Sequence, residues 1–277
     1  MAALARAAER LAAAGTETPR AEADLLLAHV LGCGRDRLYM ERERRLSPAE
    51  TAAFSALVAR RARREPFAYL TGRREFLGRD FVVSPAVLIP RPETEELALA
   101  ALADCRRYHR PRLLDLGTGS GVIAISLKLA CPEAEATGTD ISAPALSLAA
   151  QNGARLGAAV LWLEGDLLAP VAGEVFDLVI ANPPYLSAQE YAASAPELRY
   201  EPPAALVAPG AGLEFYRRLA RTAAAALAPN GVLWLEIGAT QGAAVRALFT
   251  AAGWRIEIRR DLAGRDRLAR AVPAPPF

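Results

Sequence analysis

Three short segments combine residue types and spacings that can do chemistry. The run Gly117-Thr118-Gly119-Ser120-Gly121 follows the apolar stretch Arg112 to Leu116 and leads into Val122 to Leu129. Glycines at such a place let the chain turn sharply and bring backbone N–H groups close to a ligand at a helix N-terminus. The spacing is GxGxG and departs from the GxGxxG of dinucleotide binders. A Gly-rich turn without a ligand is the plainer alternative. Asp140 lies 19 residues beyond Gly121, at the end of the next apolar run. An α/β sheet presents a carboxylate there to the ribose hydroxyls of a bound nucleoside; the alternative is an N-cap for the helix after Ile141. Asp166 and Leu167 close the third run, where an adenine ring could be flanked.

The third segment is Asn182-Pro183-Pro184-Tyr185, directly after the run Phe176 to Ala181. Ligands of open α/β sheets bind beyond the carboxyl ends of the strands, so this tetrapeptide and the glycine loop are expected to face one cleft. Two prolines restrict the backbone and lack N–H donors, which leaves the Asn182 side-chain oxygen and the Pro183 carbonyl as fixed acceptors. A substrate NH₂ group matches that pair. Tyr185 adds an aromatic face for a planar amide or base. The alternatives are an ordinary proline turn and a polyproline ligand, the latter disfavoured because the strand before it would have to be exposed.

The elements that must position these segments follow from the hydrophobic pattern. Residues 1–70 read as helical. Thr18-Pro19 opens a second helix that runs to about Leu31, and Ser47-Pro48-Ala49-Glu50 is a capping box ahead of Phe54, Leu57 and Val58 at helical spacing. The arginines at 60, 61, 63 and 64 read either as a solvated helix end that complements the dipole or as a surface for an acidic or RNA-bearing partner. Residues 71–92 read as a β-hairpin linker turning at Gly78. Residues 93–277 alternate apolar runs with helical stretches, which predicts a mainly parallel, seven-stranded Rossmann-like sheet wrapped on both faces by helices.

Composition narrows the function classes. A chain of 277 residues with 52% apolar content can build an α/β domain and a smaller partner. With 33 basic and 31 acidic residues the net charge is only +2, which argues against a protein that wraps nucleic acid. Three widely spaced cysteines, Cys33, Cys105 and Cys131, suit free thiols in a reducing compartment. The two histidines, His29 and His109, have no partner at metal-ligand spacing, so no metal is expected. The first residues carry Arg6, Glu9 and Arg10, which reads as an amphipathic helix and not a signal peptide. No uncharged apolar run reaches the ~18 residues of a membrane span, and a cytoplasmic location is expected.

With these residues in view, the sequence resembles class I methyltransferases of the NPPY group, and specifically the HemK-type glutamine-N5 methyltransferases of class 1 peptide chain release factors. The likeness runs over nearly the whole chain. Besides the three segments it takes in Leu70-Thr71-Gly72, Ile89-Pro90-Arg91-Pro92-Glu93-Thr94-Glu95, Glu201-Pro202 and Arg265-Asp266-Arg267. The Arg91 to Glu95 stretch discriminates most, because the related enzymes that modify a ribosomal-protein glutamine carry another sequence there.

The resemblance implies a class I methyltransferase fold with S-adenosylmethionine as cofactor. Gly117, Thr118, Gly119, Ser120, Gly121, Asp140, Asp166, Leu167 and Asn182 would hold it. Asn182, Pro183, Pro184 and Tyr185 would hold the substrate glutamine, with Arg91 and Glu93 contributing to substrate binding and Asn182, Pro183 and Tyr185 to catalysis. Where the family often has an aromatic, this chain has Leu167, so apolar packing replaces stacking. The expected partner is a release factor acting in translation termination, recognised by the helical domain. Stable nucleic-acid or membrane binding is not expected, and a monomer is. The competing readings are methylation of a ribosomal-protein glutamine or of an exocyclic nucleobase amine, and a non-catalytic module that kept the fold.

Overall fold

The computed structural model describes residues 2–41 and 43–274, so Met1, Arg42 and the last three residues of the expected 93–277 segment lie outside the described residues. The chain divides into two compact units, Met1–Arg73 with Ala195–Tyr200, and Arg74–Ser194 with Glu201–Phe277. Among the described residues no helix is long and apolar enough to cross a membrane.

The first unit holds α1 (Ala2–Ala13), α2 (Pro19–Leu31), α3 (Arg35–Met40), α4 (Pro48–Arg61) and α5 (Phe67–Thr71). Their apolar faces meet in a core of Leu4, Leu11, Leu26, Phe54, Val58 and Leu70. Ser47 and Glu50 form the reciprocal capping box that opens α4. Thr18 stands at the N-cap of α2, but its side chain makes no capping hydrogen bond.

The arginine run at the end of α4 is solvated only in part, with Arg63 exposed. Arg61 is buried, donating from Nε to Glu22 at 2.6 Å and from Nη1 to Glu197 at 3.0 Å. Arg64 donates to Glu197 at 2.9 Å and Arg60 to Glu65 at 2.8 Å. Burial pushes the Glu197 carboxyl upward, but the hydrogen bonds from Arg64 and Arg61 outweigh it and hold the group below the usual carboxylate range. Arg60, Arg61 and Arg64 are thus tied into ion pairs, while Arg63 is exposed.

A hairpin follows, β1 (Arg73–Phe76) and β2 (Arg79–Val82), of which all but Arg73 belongs to the second unit, and then α6 (Pro92–Cys105). There follow β3 (Arg112–Leu116), α7 (Val122–Ala130), β4 (Glu135–Asp140), α8 (Ala143–Leu156), β5 (Leu161–Glu164) and β6 (Phe176–Ala181). After the short α9 (Ala188–Ala192) and α10 (Pro209–Gly212) come α11 (Glu214–Thr222), β7 (Leu227–Glu236), α12 (Gly242–Ala251), β8 (Trp254–Arg260) and β9 (Asp266–Pro273). The seven-stranded sheet has the order β5-β4-β3-β6-β7-β9-β8. The first five strands in that order are parallel, while β9 runs antiparallel to both of its neighbours.

Successive strand residues point to opposite faces, and both faces are apolar here. Leu113, Leu178, Ile180, Val232 and Trp234 pack with Leu97 and Ala101 of α6, Ile125 of α7 and the hairpin residues Phe76 and Phe81. Leu114, Leu116, Val179, Leu233 and Leu235 pack with Leu219 of α11 and Val245 and Phe249 of α12. Cys105 and Cys131 are free and buried with their sulfurs 3.1 Å apart.

Candidate active site

The strand order brings the glycine loop and the proline tetrapeptide together. β3 and β6 are parallel neighbours in register, with Leu116 opposite Ala181. Gly117 and Asn182 are the residues that follow these two, so both segments leave the sheet at the same edge, where the strand order reverses direction. A cavity of about 190 Å³ opens there. Its wall includes Gly117 and Gly119 from the loop, Asp140 and Asp166 from the ends of the next strands, and Asn182, Pro183 and Pro184.

The glycine loop is held from below. Asp115, at 3% exposure, accepts a hydrogen bond from the Thr118 hydroxyl at 2.6 Å and one from Ala124 N–H at 3.2 Å. Burial raises its carboxyl to about 6, against the pull of those two donors. Gly119 N–H donates to Asp140 at 2.9 Å, and the other Asp140 oxygen accepts Ser142 N–H at 2.9 Å. Each carboxylate oxygen has more than one acceptor direction, so Asp140 can serve the loop and a ligand hydroxyl together. The N-cap of α8 is Ser142, whose side chain accepts from Ala145 N–H at 3.3 Å; the capping alternative for Asp140 falls away.

At Gly117 and Gly119 an added Cβ would meet no protein atom within 4 Å. Ile141, 68% exposed, Leu167 and Phe215 add apolar wall. A carboxylate, an open glycine backbone and apolar surface in one cavity make a donor set that fits a nucleoside with a free ribose diol. Asp166 also pairs with Arg218 at the surface.

The remaining expected residues stand back from this wall. Thr118 and Ser120 are buried; the Thr118 hydroxyl is spent on Asp115, and the Ser120 carbonyl accepts from Asn152 at 3.0 Å. Gly121 is the left-handed N-cap of α7. Tyr185 is held at both ends, its hydroxyl 3.3 Å from Glu236 and its carbonyl accepting from Gln241 at 2.9 Å. Arg91 pairs with the buried Glu201, which also accepts Ile89 N–H at 2.9 Å. Glu93 lies in the first turn of α6, close enough to Glu236 to act on its charge.

Several residues here were invisible as site residues in the sequence. Ala86, Val87 and Leu88, past the hairpin, line the cavity with Pro202, Ala204 and Phe215. Below Asn182 sits a buried polar chain. Asn182 Nδ2 donates to Thr94 Oγ1 at 3.1 Å, and the Thr94 hydroxyl donates to Glu236 Oε2 at 2.7 Å. Glu236 is 1% exposed. Among the described residues no group of His, Cys, Asp and Glu is arranged to hold a metal.

Comparisons with known proteins agree with this architecture. A model of the PrmC N-terminal domain matches residues 2–72, and a model of the methyltransferase small domain matches residues 96–211. The release factor glutamine methyltransferase of Deinococcus radiodurans is 44% identical over 97% of this chain and 96% of its own length. That of Cereibacter sphaeroides is 47% identical over 98% of each. A methyltransferase structure from Pyrococcus furiosus superposes with a TM-score of 0.52 at 18% identity, over 70% of this chain and 88% of that one, which speaks to the fold alone. Identity at this level over the full length of both proteins leaves one assignment: the chain belongs to the release factor glutamine methyltransferase family.

Proposed function

We propose that the chain transfers the methyl group of S-adenosylmethionine to the side-chain amide nitrogen, N5, of a glutamine in class 1 peptide chain release factors. The observation that carries this reading is the single cavity at the ends of β3 and β6, walled by the glycine loop on one side and by Asn182, Pro183 and Pro184 on the other. The cofactor supplies a methyl group on a positively charged sulfur. Gly117, Gly119 and Asp140 would hold its polar parts, and Ile141, Leu167 and Phe215 would pack against its apolar surface. Asp166 lies at the same wall.

A glutamine amide nitrogen is a poor nucleophile because its lone pair is shared with the carbonyl. Asn182 Oδ1 and the Pro183 carbonyl would accept its two N–H bonds, which pushes electron density onto nitrogen and fixes its direction. The reaction relocates one positive charge and creates no new charge pair, so positioning is the main contribution; oriented attack can supply roughly 7–11 kcal/mol. The amide proton then leaves to water. In this reading Tyr185 braces the tetrapeptide, Arg91 and Glu93 shape the approach, and the helical unit recognises the protein substrate, with the enzyme acting as a monomer.

The test is transfer of labelled methyl to purified release factors, compared with variants in which the candidate glutamine is replaced. Label is expected on the native factor and absent from the variant; label that survives the replacement overturns the substrate assignment. Asn182→Ala is expected to lower turnover by about 10²–10³-fold, the size of effect seen when a preorganised polar group is removed.

A further inference from the structure

We infer that Thr94 and Glu236 are positioning residues that decide which end of the Asn182 amide faces the substrate. The inference rests on the proposed role of Asn182 as acceptor for the substrate N–H. An amide presents a carbonyl oxygen on one branch and an NH₂ on the other, with nearly the same shape and opposite polarity. Only the carbonyl branch can receive an N–H bond. Something must therefore select it, and the buried chain beneath Asn182 does so by the direction of its protons.

An ionised carboxylate accepts and cannot donate. Glu236 Oε2, 2.7 Å from Thr94 Oγ1, thus takes the only proton that the Thr94 hydroxyl has. Thr94 is left as an acceptor towards Asn182, so the branch of Asn182 at 3.1 Å must be its NH₂. The oxygen branch is then the one not spent on Thr94. The second Glu236 oxygen, 3.3 Å from the Tyr185 hydroxyl, is likewise placed to accept a proton, so the same carboxylate braces both ends of the tetrapeptide.

Protonation of Glu236 removes this selection, because a carboxyl can donate as well as accept. A neutral carboxyl can donate to Thr94 Oγ1, which frees the Thr94 proton for the Asn182 oxygen. The amide can then turn its NH₂ towards the substrate NH₂, donor against donor. The charged and titratable groups around Glu236 come from four directions. Glu93 accompanies Thr94 on α6, Tyr185 lies on the tetrapeptide, and Arg267 of β9 is itself paired with Asp261 at 3.4 Å. Tyr216 of α11 donates to the Glu236 main-chain carbonyl at 3.0 Å. Burial raises the carboxyl to about 7, with Thr94, Arg267 and Tyr185 opposing and Glu93 adding to the rise. The ionised form therefore prevails only above neutral pH.

The experiment measures kcat and KM for a release factor between pH 5.5 and 9, cofactor affinity by calorimetry and thermal stability, for Glu236→Gln, Thr94→Val, Thr94→Ser and Asn182→Ala. Glu236→Gln and Thr94→Val are expected to lower kcat by roughly 10- to 100-fold, the cost of an inverted or broken buried hydrogen bond. Cofactor affinity should fall far less than kcat, because neither side chain lines the cavity and Asn182 is one among many residues expected to hold the cofactor. The wild-type profile should show an acid limb near neutrality that Glu236→Gln abolishes. Thr94→Ser keeps the hydroxyl and should recover most of the rate and the acid limb. Wild-type kcat with the acid limb intact in Glu236→Gln overturns the inference, as does wild-type kcat in Thr94→Val. Should Glu236→Gln not fold, Thr94→Val carries the same test through a near-isosteric change. If Asn182→Ala alone keeps near-normal turnover, the assignment of Asn182 fails and the inference falls with it. Loss in Asn182→Ala with no effect in the other two sinks the inference only.

Discussion

At the level of single residues, two glycines of one loop are required for different reasons. Gly119 has φ +56°, and a Cβ added to it would touch no protein atom within 4 Å. Gly121 has φ +81°, and its added Cβ would lie 2.9 Å from Ile125, 3.0 Å from Trp162 and 3.1 Å from Ala149. Left-handed backbone costs a side-chain-bearing residue about 1–2 kcal/mol, and forcing a methyl into a packed site adds roughly 1–3 kcal/mol. Gly119→Ala is thus expected to fold with a modest stability loss and to lose cofactor affinity, because its methyl occupies the ligand's side of the loop. Gly121→Ala is expected to lose about 2–5 kcal/mol of stability. Thermal denaturation and calorimetry on both variants check the contrast; equal stability losses would contradict it. The glycine spacing was legible in the sequence, but this division of labour was not, since Trp162 and Ala149 meet Gly121 only after folding. Thr94 lay inside the Arg91 to Glu95 stretch, but its link to Glu236 was hidden for the same reason: the two stand 142 residues apart.

Elements were read most accurately where the signal is local. The capping box at Ser47 and Glu50, the strand leading into the glycine loop and the strand leading into Asn182 all appear where their periodicity placed them. Arg61 and Arg64 were misread because their partners are remote: Glu22 is 39 and Glu197 136 positions away from Arg61. A sequence window shows the cations and not the carboxylates that absorb them. Arg61 is buried between these two acids, so removing it strands the Glu22 carboxylate, while Glu197 keeps Arg64. Arg61→Ala is expected to destabilise the helical unit by about 3–5 kcal/mol, the typical cost of breaking a buried pair from one side. By contrast Arg37→Ala, at the exposed pair with Glu41, should cost under about 1 kcal/mol. Chemical denaturation followed by helical circular dichroism separates the two. A small effect at Arg61 would mean that its network is worth no more than a surface contact.

Over the whole molecule, the same groups that organise the site set how stability depends on pH. Asp115 and Glu236 have carboxyls raised by burial to about 6 and about 7. A raised carboxyl binds more protons in the folded than in the unfolded chain, so its stabilising contribution is complete below the ordinary carboxylate range and is lost as pH climbs through the folded value. Asp104 behaves in the opposite way. Burial raises it, but hydrogen bonds from Arg270, Arg107 and Trp234 prevail and hold it low, as Arg64 and Arg61 do for Glu197. Those two contribute stability above the ordinary carboxylate range and lose it in acid. The melting temperature is therefore expected to peak at mildly acidic pH and to fall between about pH 5 and 8, with Glu236 alone contributing on the order of 3 kcal/mol to the decline. Methyl transfer should move the other way across that interval, because the ionised Glu236 that costs stability is the form that orients Asn182. Glu236→Gln should flatten the thermal profile and melt above wild type at pH 8 while turning over more slowly. Melting curves for the two proteins at pH 5.5 and 8 decide the matter. Parallel pH slopes would show that the buried carboxylate is not the group being titrated.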